Sequence, residues 1–148
     1  ATVREFLSTK FMQKRLPLIM EAVVGAGVPH CVLMSAYGVG DTVRSASFLM
    51  RVACKTIMRS IFRDRAKADA MVAKYQPYIS RALPGRLTDE PGKGGAKVVD
   101  VTSVAHVPGI PTIAREDVAD ALLDIAGDPL NAGTDFLVTI EDVVIRAA

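Results

Sequence analysis

His30-Cys-Val-Leu-Met-Ser-Ala36, followed by Tyr37-Gly-Val-Gly-Asp-Thr42, decides the fold class. The first run is short, apolar and bounded by turn residues, without the alternation of a half-exposed strand. That suits a strand buried on both faces, as in a parallel sheet. The loop leads into a long helix-like segment, Ser45 to Lys74, in which Phe48, Leu49, Val52, Ile57, Ile61, Met71 and Val72 offer apolar faces among many Arg and Lys. A second extended piece, Tyr78-Ile-Ser-Arg-Ala-Leu83, begins after Pro77 and ends at Pro84-Gly85. Strand, helix and strand in this order predict a right-handed parallel crossover with both strand ends on one edge of the sheet.

Upstream, apolar residues from Thr2 to about Val24 recur at helical spacing, with Thr2 as a cap and Pro17 expected to kink or divide the helix. Downstream, Asp89-Glu-Pro-Gly-Lys-Gly-Gly95 reads as a flexible turn before a strand Lys97-Val-Val-Asp-Val101. Arg115 to Ala126 is the clearest helix, because Val118, Ala121, Leu122 and Ile125 share one face. Glu116 and Asp117 suit its positive N-terminal end, and Gly127 with Pro129 stops it. Thr134 to Ile140 predicts a last strand, and Thr139-Ile-Glu-Asp142 fits a capping box opening a short terminal helix. The expectation is one α/β domain over residues 1–148, Rossmann-like, with a largely parallel sheet and flanking helices.

Composition narrows the function classes. Half of the 148 residues are hydrophobic, enough for one well-buried core. A net charge of +2 with 5% aromatic residues and no Trp argues against nucleic acid as a partner. The hydrophobic stretch Leu16 to Gly40 is divided by Gly25, Gly27 and Pro29, so it reads as core and not as a membrane span. Cys31 and Cys54 lie in apolar runs, which predicts buried, reduced thiols and a cytoplasmic setting. No Cys, His and Asp cluster has metal-ligand spacing, so no metal is expected.

Ligands of open parallel sheets bind beyond the carboxyl ends of the strands. That rule selects the loops Ser35 to Asp41 and Leu83 to Asp89. Gly38-Val-Gly40 begins like a dinucleotide fingerprint, but Val43 stands in place of the third glycine. Two readings stand: backbone N–H groups approaching a phosphate, or a tight turn. Ser35 and Tyr37 offer hydroxyls to a carbonyl or ribose, against the reading in which Ser35 bonds the backbone and Tyr37 packs on the next helix. Arg86 offers a fork for a phosphate or carboxylate, against a solvated surface Arg paired with Asp89 or Glu90. Ser35, Tyr37 and Arg86 are expected to line one cleft. His30 reads as structural, and His106 stands alone in a loop of Val, Pro and Gly.

Taken in order, "HCVLMSAYGVGD", "RALPGRLTDEPGKGGAKVVD" and "TIAREDVADALLDIAGDP" resemble the atypical short-chain dehydrogenase/reductases, including the biliverdin-IXβ reductase/flavin reductase-like and NmrA-like groups. The resemblance covers nearly the whole chain. It implies a Rossmann-type fold binding NAD(P)(H), with a small-molecule substrate over the nicotinamide. It places Ser35, Ala36 and Tyr37 beside the nicotinamide, with Ser35 and Tyr37 as catalytic candidates and Tyr37 also touching substrate. Leu83, Pro84 and Gly85 fall beside the nicotinamide ribose, and Arg86 beside the substrate. Leu83 stands where many members have Arg, and Asp69 where a Glu often appears.

Two departures matter. Asp41, Ile79 and Ala82 occupy the fourth positions after the three tyrosines, so there is no Tyr-x-x-x-Lys pair. The family's opening strand and glycine-rich turn do not occur in this sequence, which leaves the Cys31 strand in need of a neighbour, from a missing N-terminal segment or a homo-oligomer, and makes NAD(P)(H) binding conditional on that glycine-rich half being supplied. The function implied is an NAD(P)H-dependent oxidoreductase. The alternatives are a non-catalytic NmrA-like regulator and an isomerase or epimerase on the same fold.

Overall fold

A computed structural model describes residues 10–56 and 59–146. Helix α1, Phe11–Gly25, runs through Pro17 without being divided by it and buries Leu16 and Met20. The Thr2 cap falls outside the described residues. Strand β1, Cys31–Met34, runs parallel to β2, Ile79–Pro84, with Cys31 opposite Ile79 and Met34 opposite Ala82. β2 is parallel to β7, Asp135–Thr139, and β7 is antiparallel to β4, Lys97–Asp100, giving the order β1-β2-β7-β4. β3, Arg86–Thr88, pairs in parallel with β6, Thr112–Ala114. β5, Val104–His106, pairs antiparallel with β8, Val144–Ile145.

The crossover from β1 to β2 is helical but not one helix. Ala46 forms an isolated bridge with Val107, and the Ser47 hydroxyl accepts from Met50 N to cap α2, Phe48–Lys55. Thr56 then leaves the helical region, and its hydroxyl donates back to Val52 O, the local competition that interrupts helices. Helix α3 covers Arg59–Val72 and ends in a 3-10 segment, Ala73–Tyr78. The side chain of Cys54 lies outside the described ones. The terminal helix expected at Thr139 is also corrected: Thr139 Oγ1 accepts from Glu141 N in a local turn, and the chain goes on as strand β8 against β5.

Alternation along β2 sorts the core. Ala82, with Phe136 and Val138 of β7, faces helix α4, Arg115–Gly127, through Val118, Ala121 and Ile125. Ile79 faces α1 and α3 through Leu16, Met20, Ala68 and Val72. Leu83 and Leu137 pack under Tyr37, Met50 and Val107 on that same side. Each fully buried Leu, Ile or Val contributes about 1.5–3 kcal/mol, so both faces are strongly held. Arg81 alone breaks the apolar pattern of its face.

β1 has β2 on one side and no strand partner on the other among the described residues. Ser35 N donates to Ala82 O, so the amides of Leu33 and Cys31 turn the same way and those of Val32 and Met34 face outward. Hydrogen exchange is therefore expected to be slow at Cys31, Leu33 and Ser35 and fast at Val32 and Met34. Protection at Val32 and Met34 would show a further strand on that edge.

Candidate active site at the carboxyl edge

The two loops singled out by sequence do leave the same edge. Ser35 N donates to Ala82 O at 2.8 Å and Tyr37 N to Pro84 O at 2.9 Å, which locks the end of β1 to the end of β2. Past that point, Gly38 (φ 90) and Gly40 (φ 60) take left-handed conformations that favour glycine. The Gly38 N–H donates to Thr42 Oγ1 at 2.9 Å, so it is spent inside the loop. Of the two readings of Gly38-Val-Gly40, the tight turn is the one realised.

The hydroxyls of Ser35 and Tyr37 turn inward. Tyr37 is 2% exposed and its oxygen lies 2.9 Å from Ser45 Oγ. Ser45 donates its own proton to Thr42 O, so the phenol is the donor in that pair. Ser35 is also buried; its Oγ donates to Asp69 Oδ2 at 2.9 Å and accepts from Arg65 Nε at 3.2 Å. Arg65 Nη2 also donates to Met34 O, on the outward side of β1. Burial pulls the Arg65 guanidinium down from its usual range, and Asp69 and Asp64 oppose that pull.

Sequence reasoning missed the network behind Ser35. Arg81 projects from β2 onto the helix-covered face, where Nε donates to Asp135 Oδ1 at 2.8 Å and Nη2 to Asp135 Oδ2. Its Nη1 reaches Asp69 Oδ2 at 3.4 Å. The forked bond to Asp135 is the largest influence raising the Arg81 pKa, against desolvation. Asp69 Oδ1 is buried with no hydrogen-bond partner, beside a cavity of about 530 Å³ floored by Arg81 and Leu83. The legible signal was a lone Arg in the middle of an apolar strand.

Leu83 and Pro84 are buried, while Ala36 and Gly85 are half-buried at the edge. A Cβ on Gly85 would lie 2.2 Å from Pro111 O, so glycine is required there by the close approach of two backbones. Arg86 N donates to that same Pro111 O at 2.8 Å, starting β3, with the residue exposed. Arg86, Ser35 and Tyr37 line neither the 530 Å³ cavity nor a second one of about 510 Å³ beside Gly38. His30 is structural: Ser80 donates to Asn131 O, so His30 Nε2 donates to Ser80 Oγ at 2.9 Å.

The loop Gly92–Gly94 is held by the first turn of α4: Gly92 N donates to Glu116 Oε2, and Lys93 N and Gly94 N donate to the buried carboxylate of Asp117. These acids therefore anchor the loop as well as facing the helix dipole.

A family model described as NAD(P)H-binding matches residues 7–129. Among solved structures, the chain is similar to a putative NAD-dependent epimerase/dehydratase from Bacillus halodurans, with TM-score 0.66 and 20% identity over 86% of this chain and 53% of that one. It is similar to a short-chain dehydrogenase/reductase from Veillonella parvula in complex with NADP, with TM-score 0.71 and 15% identity over 89% and 59%. It also resembles ChuY, an anaerobilin reductase from Escherichia coli O157:H7, with TM-score 0.63 and 18% identity over 95% and 61%. The chain thus spans between half and two-thirds of the length of these neighbours. No curated protein sequence matches it. The Rossmann-type architecture read from the three motifs agrees with these findings.

Two substitutions test this geometry. Gly85→Ala should lower the urea-derived unfolding free energy by about 2–3 kcal/mol, the usual cost of forcing a methyl into a packed site. Arg81→Met removes the cation shared by Asp69 and Asp135 and should cost about 3 kcal/mol, with part recovered on adding Asp69→Asn. Additive losses in the double variant would mean that the two residues are not coupled.

Proposed function

Because the chain belongs to the NAD(P)H-binding family, we propose that it forms the substrate side of an NAD(P)(H) site and serves an oxidoreductase acting on a small molecule. The observation that carries this reading is the junction of β1 and β2, where Tyr37 N meets Pro84 O and both following loops open at the carboxyl edge. When bound, the cofactor supplies the hydride.

The chain's residues fit the nicotinamide end. Ala36 and Gly85 leave backbone at the edge half-exposed, and Arg86 offers a cation to an anionic group. Leu83 and Pro84 shape the floor from within the core. Ser35 and Tyr37 act by holding the loop, through Asp69 and Arg65 on one side and Ser45 on the other. No pyrophosphate contact is assigned, since Gly38 has no free N–H to give. Cys31 is a free thiol, in keeping with a cytoplasmic setting. No described helix is long and apolar enough to cross a membrane.

Titration with NADPH and NADH, followed by nicotinamide fluorescence, tests the reading. Saturable binding is expected once the glycine-rich half is supplied, with Arg86→Ala weakening it severalfold. A folded protein giving no saturable signal up to millimolar concentrations of either nucleotide would overturn it.

A further inference from the structure

The 510 Å³ cavity beside the glycine loop has a polarised lining. It is lined by the half-buried Val43, Phe62 and Ala66 and by the exposed Arg59 and Arg63. These arginines stand one turn apart on α3, so their guanidinium groups share a face. Four cations of the described residues meet acids, Arg44 with Asp41, Arg81 with Asp69 and Asp135, Lys97 with Asp142, and Arg115 with Asp89, while others, Arg51 and Arg86 among them, form no ion pair. Among the described residues, Arg59 and Arg63 have no carboxylate partner and no acid lines the cavity. The acids of the same helix are occupied elsewhere: Asp64 accepts from Met12 N and Gln13 Nε2 of α1, and Asp69 serves Ser35 and Arg81.

A volume of this size suits a ring-sized small molecule. We infer that the cavity takes an organic anion with an apolar body, its carboxylate between Arg59 and Arg63 and its hydrocarbon on Phe62 and Val43. Planar guanidinium groups match a carboxylate, and an apolar wall excludes the water that would otherwise screen the pair. Gly38 and Gly40 line the same cavity, which opens from the loop after β1 at the carboxyl edge. The inference names the substrate class of the site proposed above and rests on that reading. The same chemistry would suit a phosphate of the dinucleotide, and the test separates the two.

The probes are 2-naphthoate and its neutral isostere 2-naphthamide, with NADPH measured separately, on the wild-type chain and on the surface variant Arg59→Gln/Arg63→Gln. Naphthoate should bind about tenfold more tightly than the amide, the size of one charge-assisted contact. That preference should shrink as salt rises and vanish in the double variant, with NADPH affinity unchanged within about twofold. Equal binding of the two probes, or a preference that survives the double substitution, would overturn the inference. So would a double variant that loses NADPH but keeps the naphthoate preference, since the arginines would then serve the cofactor. If wild type prefers naphthoate but ignores NADPH, the anion pocket stands and the nicotinamide reading fails.

Discussion

Arg81 is the constraint on which this arrangement depends. A guanidinium on the helix-covered face of a parallel strand is tolerable only when neutralised and hydrogen-bonded. Asp135, its opposite neighbour on β7, supplies a fork, and Asp69 of α3 supplies the second carboxylate. Asp69 also receives the Ser35 hydroxyl, so one charged chain joins β7, β2, α3 and the end of β1. Such a network contributes less to net stability than to uniqueness: α3 cannot slide along the sheet without stranding a buried charge. The price is paid at Asp69, one of whose oxygens has no hydrogen-bond partner.

That fixation determines what the carboxyl edge can do. With Ser35 and Tyr37 hydroxyls bound within the protein, polar contact at the edge falls to backbone groups and to arginines. Arg65 covers the outward carbonyl of Met34, Arg86 stands exposed where β3 begins, and Arg59 with Arg63 line the neighbouring cavity. Tyr37 itself is buried, with its hydroxyl on Ser45.

The crossover from His30 to Pro84 was legible because an unbroken apolar run, a glycine turn and a helical period each have one economical interpretation. The face of Arg115–Gly127 was legible for the same reason, and so was the adjacency of the two loops. What escaped was non-local. The partner of Arg81 lies 54 residues away, so a lone Arg in an apolar strand signals a charge in need of a partner but not which carboxylate supplies it. Thr139-Ile-Glu-Asp142 satisfies a capping box locally, yet pairing of Val144–Ile145 with β5 overrides it. The approach of Pro111, 26 residues on in sequence, requires glycine at Gly85, a constraint that local sequence does not display. Tyr37 sits beside a ligand loop and still turns into the core, because a large aromatic gains more from burial than from water.

The central claim is that the nicotinamide end of the cofactor lies against the junction of β1 and β2. Backbone amide chemical shifts recorded during an NADPH titration test it most directly. The account predicts the largest changes at Ala36, Gly85 and Arg86, with the amides around Arg81 and Asp135 undisturbed. Changes centred on the cavity over Arg81, with Ala36 and Gly85 unmoved, would contradict it.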